Sequence, residues 1–251
     1  MATRAEPRGR PKEPRMDILK LIRYRQSARV PFDTSRPIPP EDLRRILEAA
    51  RWTPTAHNMQ NFEIVVVDDE KILESIANVR GEVSEAFVQE NYEQLSFSEE
   101  ELRKRKVGLL GSTFPASWRT PGVKPQLDEA HAHSILGEPM RSSAALLVVL
   151  YDPRRRAPAS EGDVLGMISL GCLMQNMWLV ASSLGIGFHV QSSLSGRRVE
   201  ADVKALLRIP DPLRIGFACR IGYPARNPEY LRVRRDVSDF VYRNVYGTKI
   251  T

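Results

Sequence analysis

The sequence predicts an α/β or α+β sandwich, because apolar strands alternate along the chain with helices. Three apolar runs, at residues 62–67, 144–151 and 213–221, are typical of strands that are buried on both faces of a sheet. Between these runs, apolar residues recur at helical spacing. The chain has 251 residues, of which 42% are hydrophobic, so we expect one domain with a substantial core.

The first two helices are predicted from their spacing and their ends. Apolar residues at helical spacing predict a helix over 16–24 that delivers Arg25 at its end. Pro39-Pro40-Glu41-Asp42 opens a second helix, since proline and acidic residues suit a first turn, and Pro54 stops it. The other predicted elements are a helix at 71–78, a charged helical stretch at about 82–110, an irregular stretch at 111–139, a surface connection at 152–162, a long apolar helix at about 163–184, a strand at 186–190, a short helix at 199–207 and a final short element at 237–245.

The chain divides into a tail and a folded domain. Residues 1–15 are rich in proline and arginine and lack the apolar segment of a signal peptide, so we expect a disordered basic tail before a domain at 16–251. The net charge is +6, but arginines are spread along the chain. A solvated basic surface and a solubilising tail are therefore favoured over nucleic-acid binding.

The stretch from 164 to 196 contains no Asp, Glu, Lys or Arg and is long enough to span a bilayer. Its amides, serines and glycines argue against a membrane span, and Gly185-Ile186-Gly187 divides it into a helix and a strand. We expect a helix buried on nearly all sides, at the centre of the fold or of a dimer interface. Cys172 and Cys219 lie in apolar surroundings without metal-binding spacing, so we expect buried, reduced thiols in a cytoplasmic protein.

Arg25-Gln26-Ser27-Ala28-Arg29 places two guanidiniums and a hydroxyl on one short stretch of backbone. A phosphate group is bound by such charged, bidentate donors together with a neutral one. Taken alone, the segment is better explained as a helix end with surface salt bridges. Together with the later motifs, phosphate binding is the favoured interpretation of this segment.

A second polar segment, Pro54-Thr55-Ala56-His57-Asn58-Met59-Gln60-Asn61, precedes the first strand. Its side-chain amides can read the donor and acceptor edge of a planar heterocycle. Alternatively, Asn58 and Gln60 are turn residues that bond their own backbone. The two segments together suggest a bound nucleotide-like cofactor.

In this order, the segments resemble the FMN-dependent nitroreductase family. The family's Arg-x-Ser-x-Arg motif matches Arg25, Ser27 and Arg29, and its Pro-Ser-x-x-Asn-x-Gln-Pro-Trp turn matches residues 54–62. Its Gln-Asn helix leading to Gly-hydrophobic-Gly matches 175–187, and its Gly-Tyr-Pro with a following basic cluster matches 222–224 and 232–235. Here Gln26 stands where a basic residue is frequent, Thr55 keeps the hydroxyl of Ser, and Asn61-Phe62 replaces Pro-Trp, which is expected to loosen the turn.

The resemblance implies an α+β sandwich, with a mainly antiparallel central sheet flanked by helices, that forms an obligate homodimer with FMN sites at its interface. It implies that Arg25, Ser27 and Arg29 hold the FMN phosphate and ribityl chain, with Gln26 adding a contact. The other implied contacts come from Arg234 to the phosphate (Arg235 if the register shifts by one), from Pro54, Thr55 and Ala56 of the partner subunit to the ring, from Asn58 and Gln60 to its polar groups, and from Val190, Gln191 and Ser192 to its N5 and carbonyl edge.

The function that the resemblance implies is a ping-pong transfer of hydride from NADH or NADPH, through flavin N5, to a small electron-poor acceptor such as a nitroaromatic or a quinone. No catalytic side chain is expected, since the cofactor carries the chemistry. The alternatives are another flavin reaction on the same fold, namely reductive dehalogenation, ene-reduction or heterocycle oxidation, and a flavin-binding protein with little turnover.

The remaining candidates have simpler explanations. His57 is interpreted as a turn residue, and His131 and His133 lack the partners of a metal site, so no metal is expected. Phe114 and Trp118 fit either an aromatic wall over the flavin or ordinary loop packing.

Overall fold

A computed structural model of the chain describes residues 17–81, 98–106, 137–158, 162–228 and 232–249. The predicted tail, most of the irregular stretch and most of the charged stretch lie outside these ranges, as do Phe114, Trp118, His131 and His133. Within them, helices pack on both faces of a four-stranded sheet.

The sheet is antiparallel throughout, as the resemblance implied. Its strands are β1 (Glu63–Val67), β2 (Ala145–Tyr151), β3 (Gly187–Val190) and β4 (Arg214–Gly222), in the order β1-β2-β4-β3. β2 is central and almost entirely buried, which explains its unbroken apolar sequence. β3 lies at the edge of the sheet, where it pairs with the segment that follows the first helix.

Helices predicted at 16–24, 71–78, 163–184 and 199–207 are found to within about two residues, whereas only Glu99–Arg105 of the stretch predicted at about 82–110 is a described helix. The described helices are α1 (Ile18–Tyr24), α2 (Pro40–Arg51), α3 (Glu70–Ala77), α4 (Glu99–Arg105), α5 (Val164–Ser183), α6 (Arg197–Leu207) and α7 (Val237–Phe240). The Asp17 carboxylate caps α1 by accepting from the backbone N–H groups of Leu19 and Lys20, and Pro40 occupies the first turn of α2. The element predicted at 237–245 is only a four-residue helix.

Alternating residues of β2 belong to two separate hydrophobic cores, one on each face of the sheet. Leu146, Val148 and Leu150 pack with α3 and α6, whereas Leu147 and Val149 pack with α2 and α5 on the opposite face. The predicted sandwich is therefore confirmed, with α5 across one face of the sheet. Cys219 is buried in the second core, but Cys172 on α5 is only half-buried.

Helix α5 is less buried than predicted. Only Leu170, Leu173, Met177, Trp178 and Ala181 are buried, whereas Val164, Met167 and Ile168 are 61%, 42% and 57% exposed. The prediction of burial on nearly all sides is thus wrong for the single chain, because the sheet and α2 cover only one side of the helix. By length and composition α5 could also cross a membrane, a test that core helices of soluble proteins pass as well.

Two glycines bring the segment after α1 against the sheet. Gly187 and Gly222 are paired across β3 and β4, and a Cβ on either would come within 2.8 Å of the Phe32 ring. Removing that space would push Phe32 away from the sheet. The glycines of both motifs therefore serve close packing, which fixes the course of residues 25–33.

Candidate functional site

Three arginines from two distant parts of the chain gather at the end of α1. We call Arg25, Arg232 and Arg234 the arginine cluster. The pKa of Arg25 is lowered by burial and then by the positive charges of Arg234 and Arg232. Such mutual repulsion is relieved when an anion binds between the guanidiniums, so the cluster has the electrostatics of an anion site.

Arg25 also carries an unsatisfied polar atom. Its Nε is buried and has no hydrogen-bond acceptor among the described residues, while its guanidinium carbon lies 4.4 Å from the centre of the Trp178 ring. A buried donor without an acceptor costs about 1–3 kcal/mol. A bound anion would supply the acceptor.

Arg232 fastens the C-terminal segment to the end of α1. It donates hydrogen bonds to the backbone carbonyls of Arg23, Tyr24 and Arg25, the last at 3.0 Å. The final carbonyls of a helix have no partner within the helix, so a cation is well placed there. The sequence analysis identified Arg232 only as part of a basic cluster. Its role in joining the two segments is seen only in the structure.

The basic residues after Arg232 point to different neighbours. Arg234 donates to the Val233 carbonyl at 2.7 Å and is close enough to lower the pKa of Arg25. Arg235 instead lies over the ring of Phe240, 5.4 Å from its centre. Of the two registers that the sequence allowed, the structure brings Arg234 to the cluster.

The segment from Arg25 to Arg29 lies along the free edge of β3. Ser27 bridges to Phe188, and the Ala28 N–H donates to the Phe188 carbonyl at 3.0 Å. Ala28 is buried, whereas Arg25, Ser27 and Arg29 are only partly buried. The Gln26 amide donates to the Pro228 carbonyl at 3.2 Å, so this side chain also holds the C-terminal segment.

At the end of β3, His189 and Gln191 form a buried polar group. The Nδ1 of His189 accepts from Arg220 Nε at 3.0 Å and lies 3.2 Å from Gln191 Nε2. Burial, followed by the charges of Arg220 and Arg29, lowers the pKa of His189 to about 3, so the imidazole is neutral at physiological pH. Gln191 is 5% exposed, and its amide faces His189, whereas Ser192 is exposed.

Arg220 was missed by the sequence analysis. It lies in β4 and is 3% exposed, with hydrogen bonds to the backbone of the 25–33 segment. The available signal was a lone charge, Arg220, in the otherwise uncharged stretch 215–221 of the predicted strand. A charge in such a strand is rarely fully buried without several partners.

The polar turn before β1 has a strained backbone. His57, Asn58 and Gln60 have φ angles of 50°, 51° and 48°, a region that non-glycine residues seldom adopt. Thr55 supports the turn, since its hydroxyl accepts from the Gln60 N–H at 3.1 Å and its carbonyl accepts from the Asn58 N–H at 2.9 Å. Clustered left-handed residues of this kind occur at functional sites.

Asn61 does not loosen the turn as the sequence analysis expected. Its amide nitrogen donates to the carbonyls of Asp152 and Arg155 at 2.9 and 3.0 Å, and its oxygen accepts from the Asp152 N–H at 3.1 Å. These bonds tie the turn to the loop after β2. Hydrogen bonding here replaces the rigidity that proline would provide.

The turn and the arginine cluster lie at different heights along α5. The Ala56 N–H donates to the Ser169 hydroxyl at 3.1 Å, whereas Arg25 stacks on Trp178. Ser169 and Trp178 are nine residues apart, which is about 13 Å along a helix axis. The two groups of predicted site residues are thus held apart within one chain.

Among the residues that the structure describes, no group of three or more His, Cys, Asp or Glu side chains is placed to hold a metal ion. The predicted site residues Val190 and Ser192 lie on either side of Gln191, and Pro54 precedes the strained turn. All thirteen predicted cofactor-binding residues lie within the described ranges.

Comparison with known proteins places this geometry in context. The model of the nitroreductase family matches residues 22–223. An NADPH-flavin oxidoreductase of Vibrio harveyi is 30% identical over 115 residues, which are 43% of this chain and 47% of that protein. The match therefore spans about half the length of that relative. A CR(VI) reductase of Pseudomonas sp. (strain G-1) is 22% identical over 232 residues, 92% of this chain and 76% of that protein.

Solved structures share the fold at low sequence identity. A nitroreductase with bound FMN from Bacteroides fragilis NCTC 9343 has a TM-score of 0.56 at 17% identity, covering 91% of this chain and 98% of that one. A nitroreductase-like family protein from Bacillus cereus has a TM-score of 0.59 at 19% identity, with 94% and 100% coverage.

Proposed function

This chain belongs to the nitroreductase family, and from that premise we propose that it is an FMN-dependent oxidoreductase that transfers hydride from NADH or NADPH to a small electron-poor acceptor such as a nitroaromatic or a quinone. The observation that carries the proposal is the arginine cluster, with its buried and unsatisfied Arg25 Nε. When bound, FMN supplies the redox chemistry, so the chain's own residues have to bind, orient and shield it.

The arginine cluster fits the phosphate end of FMN. Arg25 and Arg234 offer guanidinium donors, and the phosphate would provide the acceptor that Arg25 Nε lacks. Ser27 and Arg29 lie on the same short segment as Arg25, are partly exposed, and would add a hydroxyl and a further cation. Arg232 holds the two segments together through the carbonyls at the end of α1.

The strained turn fits the ring of the flavin. The side chains of Asn58 and Gln60 are exposed. Both residues have left-handed backbone conformations within a short turn. Pro54, Thr55 and Ala56 would lie against the ring, while the amides of Asn58 and Gln60 would bond its polar edge. Fixed donors at such an edge stabilise negative charge that develops during reduction.

The end of β3 supplies the third side of the proposed site. Val190 and Ser192 would approach the N5 and carbonyl edge of the ring, with Gln191 between them. Since the Gln191 amide faces His189 inside the protein, its part in the proposal is to hold this backbone in place. Because His189 is neutral at physiological pH, it adds no further positive charge beside the buried Arg220.

A homodimer would bring these parts together. Within one chain the turn and the arginine cluster are about 13 Å apart along α5. The first half of α5 and all of α1 expose apolar side chains, including Ile18, Leu19 and Ile168 at 66%, 53% and 57%. We propose that this surface pairs with a second copy, so that the turn of one chain completes the site of the other.

The names of similar proteins support the cofactors. The Vibrio harveyi relative is an NADPH-flavin oxidoreductase, and the Bacteroides fragilis structure holds FMN. For this chain, FMN and a nicotinamide donor are the proposal.

An absorbance spectrum of the purified protein tests the proposed function. We expect a flavin spectrum, either as purified or after adding FMN, that bleaches when NADH or NADPH is added without oxygen and returns with a nitroaromatic or a quinone. A colourless protein that cannot be reconstituted with FMN would overturn the proposal. Bound flavin that neither NADH nor NADPH reduces would instead indicate a flavin-binding protein with little turnover.

A further inference from the structure

Arg220 is a buried arginine whose guanidinium contacts several separate parts of the backbone. It lies in β4, paired with His189 of the neighbouring edge strand, and is 3% exposed. Its guanidinium carbon is 4.4 Å from the centre of the Phe32 ring. Burying a guanidinium carries a large desolvation cost, so an apolar side chain would be more favourable here if packing were the only requirement.

One arm of the guanidinium holds the segment that follows the Arg25-Ser27-Arg29 motif. Nη2 donates to the carbonyl of Val30 at 2.6 Å and lies 3.4 Å from that of Ala28. Both residues are buried, so their carbonyls need partners inside the protein. Arg220 supplies them where the segment leaves the edge of β3.

The other nitrogens reach two further elements. Nε donates to His189 Nδ1 at 3.0 Å, and Nη1 donates to the Pro139 carbonyl at 3.2 Å and to the Ser142 hydroxyl at 3.2 Å. Because Nδ1 of the neutral imidazole accepts this bond, its proton is assigned to Nε2. His189 in turn contacts the Gln191 amide, next to the proposed flavin edge.

We propose that Arg220 is a positioning residue that sets the phosphate-binding segment and the end of β3 relative to each other. This inference rests on the proposed function. The guanidinium is a flat, rigid fork, so bonds from its two ends fix both the spacing and the orientation of the groups it joins. Lysine retains the charge but cannot make bonds in these fixed directions.

Arg214 offers a matched control on the same strand. Its guanidinium forms a two-point ion pair with Glu200, at 2.8 Å from Nη2 to Oε2 and 2.8 Å from Nε to Oε1. Glu200 is 5% exposed, so Arg214→Met also leaves a buried charge without its partner and lowers stability. Arg214 contacts Glu200 of α6 and lies at the other end of β4 from Arg220, away from His189 and the phosphate-binding segment.

The experiment compares the wild-type protein with the Arg220→Met, Arg220→Lys and Arg214→Met variants. Dissociation constants of FMN and of riboflavin are measured by flavin fluorescence, at a temperature below each variant's unfolding transition. We expect Arg220→Met and Arg220→Lys to bind FMN about tenfold more weakly, with a reduced preference for FMN over riboflavin. Arg214→Met should keep both values within about twofold of wild type, despite its lower stability.

The outcomes separate the two proposals. Failure of the wild-type protein to bind FMN would overturn the proposed function. If wild type binds FMN and both Arg220 variants keep its affinity and its preference over riboflavin, Arg220 has only a structural role and the inference is wrong. If Arg220→Met does not fold, the same comparison is made with Arg220→Lys, which retains the cation; an unchanged preference there overturns the inference as well.

Discussion

The guanidinium of Arg25 stacks on the indole ring of Trp178, 4.4 Å from the ring centre, while its Nε points to no acceptor in the described chain. Trp178 is itself fixed, since it stacks on Phe188 at 5.1 Å and its N–H donates to the Gln26 carbonyl at 3.3 Å. The aromatic ring thus orients a cation without using its hydrogen bonds. Those bonds remain available to an anion.

Arg25→Ala is expected to weaken FMN binding by roughly 10- to 100-fold, because one charge-assisted hydrogen bond contributes about 1.5–3 kcal/mol. Arg25→Lys should give a smaller loss, since the charge is kept but the fork is not. The measurement is an FMN titration of each apoprotein. Arg23→Ala removes an exposed arginine from the same helix end and should leave the affinity unchanged. Equal affinity in all variants would rule out the phosphate assignment.

The strained turn permits a paired test at Gln60 and His57. Glycine at either position relieves a left-handed conformation, and each variant is expected to gain up to about 1 kcal/mol in unfolding free energy. Of these two residues, Gln60 alone is proposed to contact the flavin. Gln60→Gly should therefore also lose activity, whereas His57→Gly should retain it. Urea denaturation and steady-state turnover are the two measurements. Loss of activity in both variants would mean that backbone strain itself, rather than the Gln60 amide, serves the function.

Ile168→Glu should convert a dimer into monomers, because it places a charge on the exposed apolar side of α5. The proposed site needs both chains, so bound FMN should be lost together with the dimer. Molecular mass by light scattering and flavin content are measured on the same sample. Leu206→Glu on α6, which replaces a side chain that is 43% exposed, is the control and should stay dimeric. A wild-type protein that is monomeric with FMN bound would contradict the proposed assembly.

His189 should make the protein sensitive to acid. Its pKa is about 3 in the folded chain and near 6.5 when unfolded, so the unfolded state binds more protons between these values. Stability is therefore lost as the pH falls from about 6.5 towards 3, by at most about 1.4 kcal/mol per pH unit from this group. His189→Asn offers Arg220 an amide oxygen as acceptor but has no proton to bind.

The difference in unfolding free energy between wild type and His189→Asn isolates this effect, since carboxylates titrate in both proteins. Urea denaturation from pH 7 to pH 4 should show wild type losing stability relative to the variant as the pH falls. Arg220, Arg29 and Gln191 surround position 189 in both proteins. A constant difference across this range would show that His189 is not kept neutral by its surroundings.

The elements of the fold could be read from local patterns. β2 is an unbroken apolar run because it is central in the sheet, and the ends of α1 and α2 follow from a capping aspartate and an opening proline pair. These signals act between residues that are close in sequence, so the chain itself specifies them. The motif around Arg25 was likewise visible, because its chemistry lies in five consecutive residues.

The surroundings of α5 could not be predicted without the tertiary structure. Its composition predicted burial on nearly all sides, but the sheet and α2 cover only one side of it in a single chain. The apolar composition of a helix predicts that its surface is buried, but only the tertiary structure shows which neighbouring elements bury it. The exposed side of α5 is the reason that a second copy enters the proposed function.

By itself, then, the sequence determined the order of strands and helices, the polar segments of the proposed site and the family to which the chain belongs. Only the tertiary structure decided which arginines meet. Arg232 bonds the carbonyl of Arg25 across 207 positions, and Arg220 holds that of Val30 across 190. Such contacts depend on the path of the whole backbone and on glycines that let Phe32 approach the sheet. Residue patterns over short stretches of sequence do not specify that path.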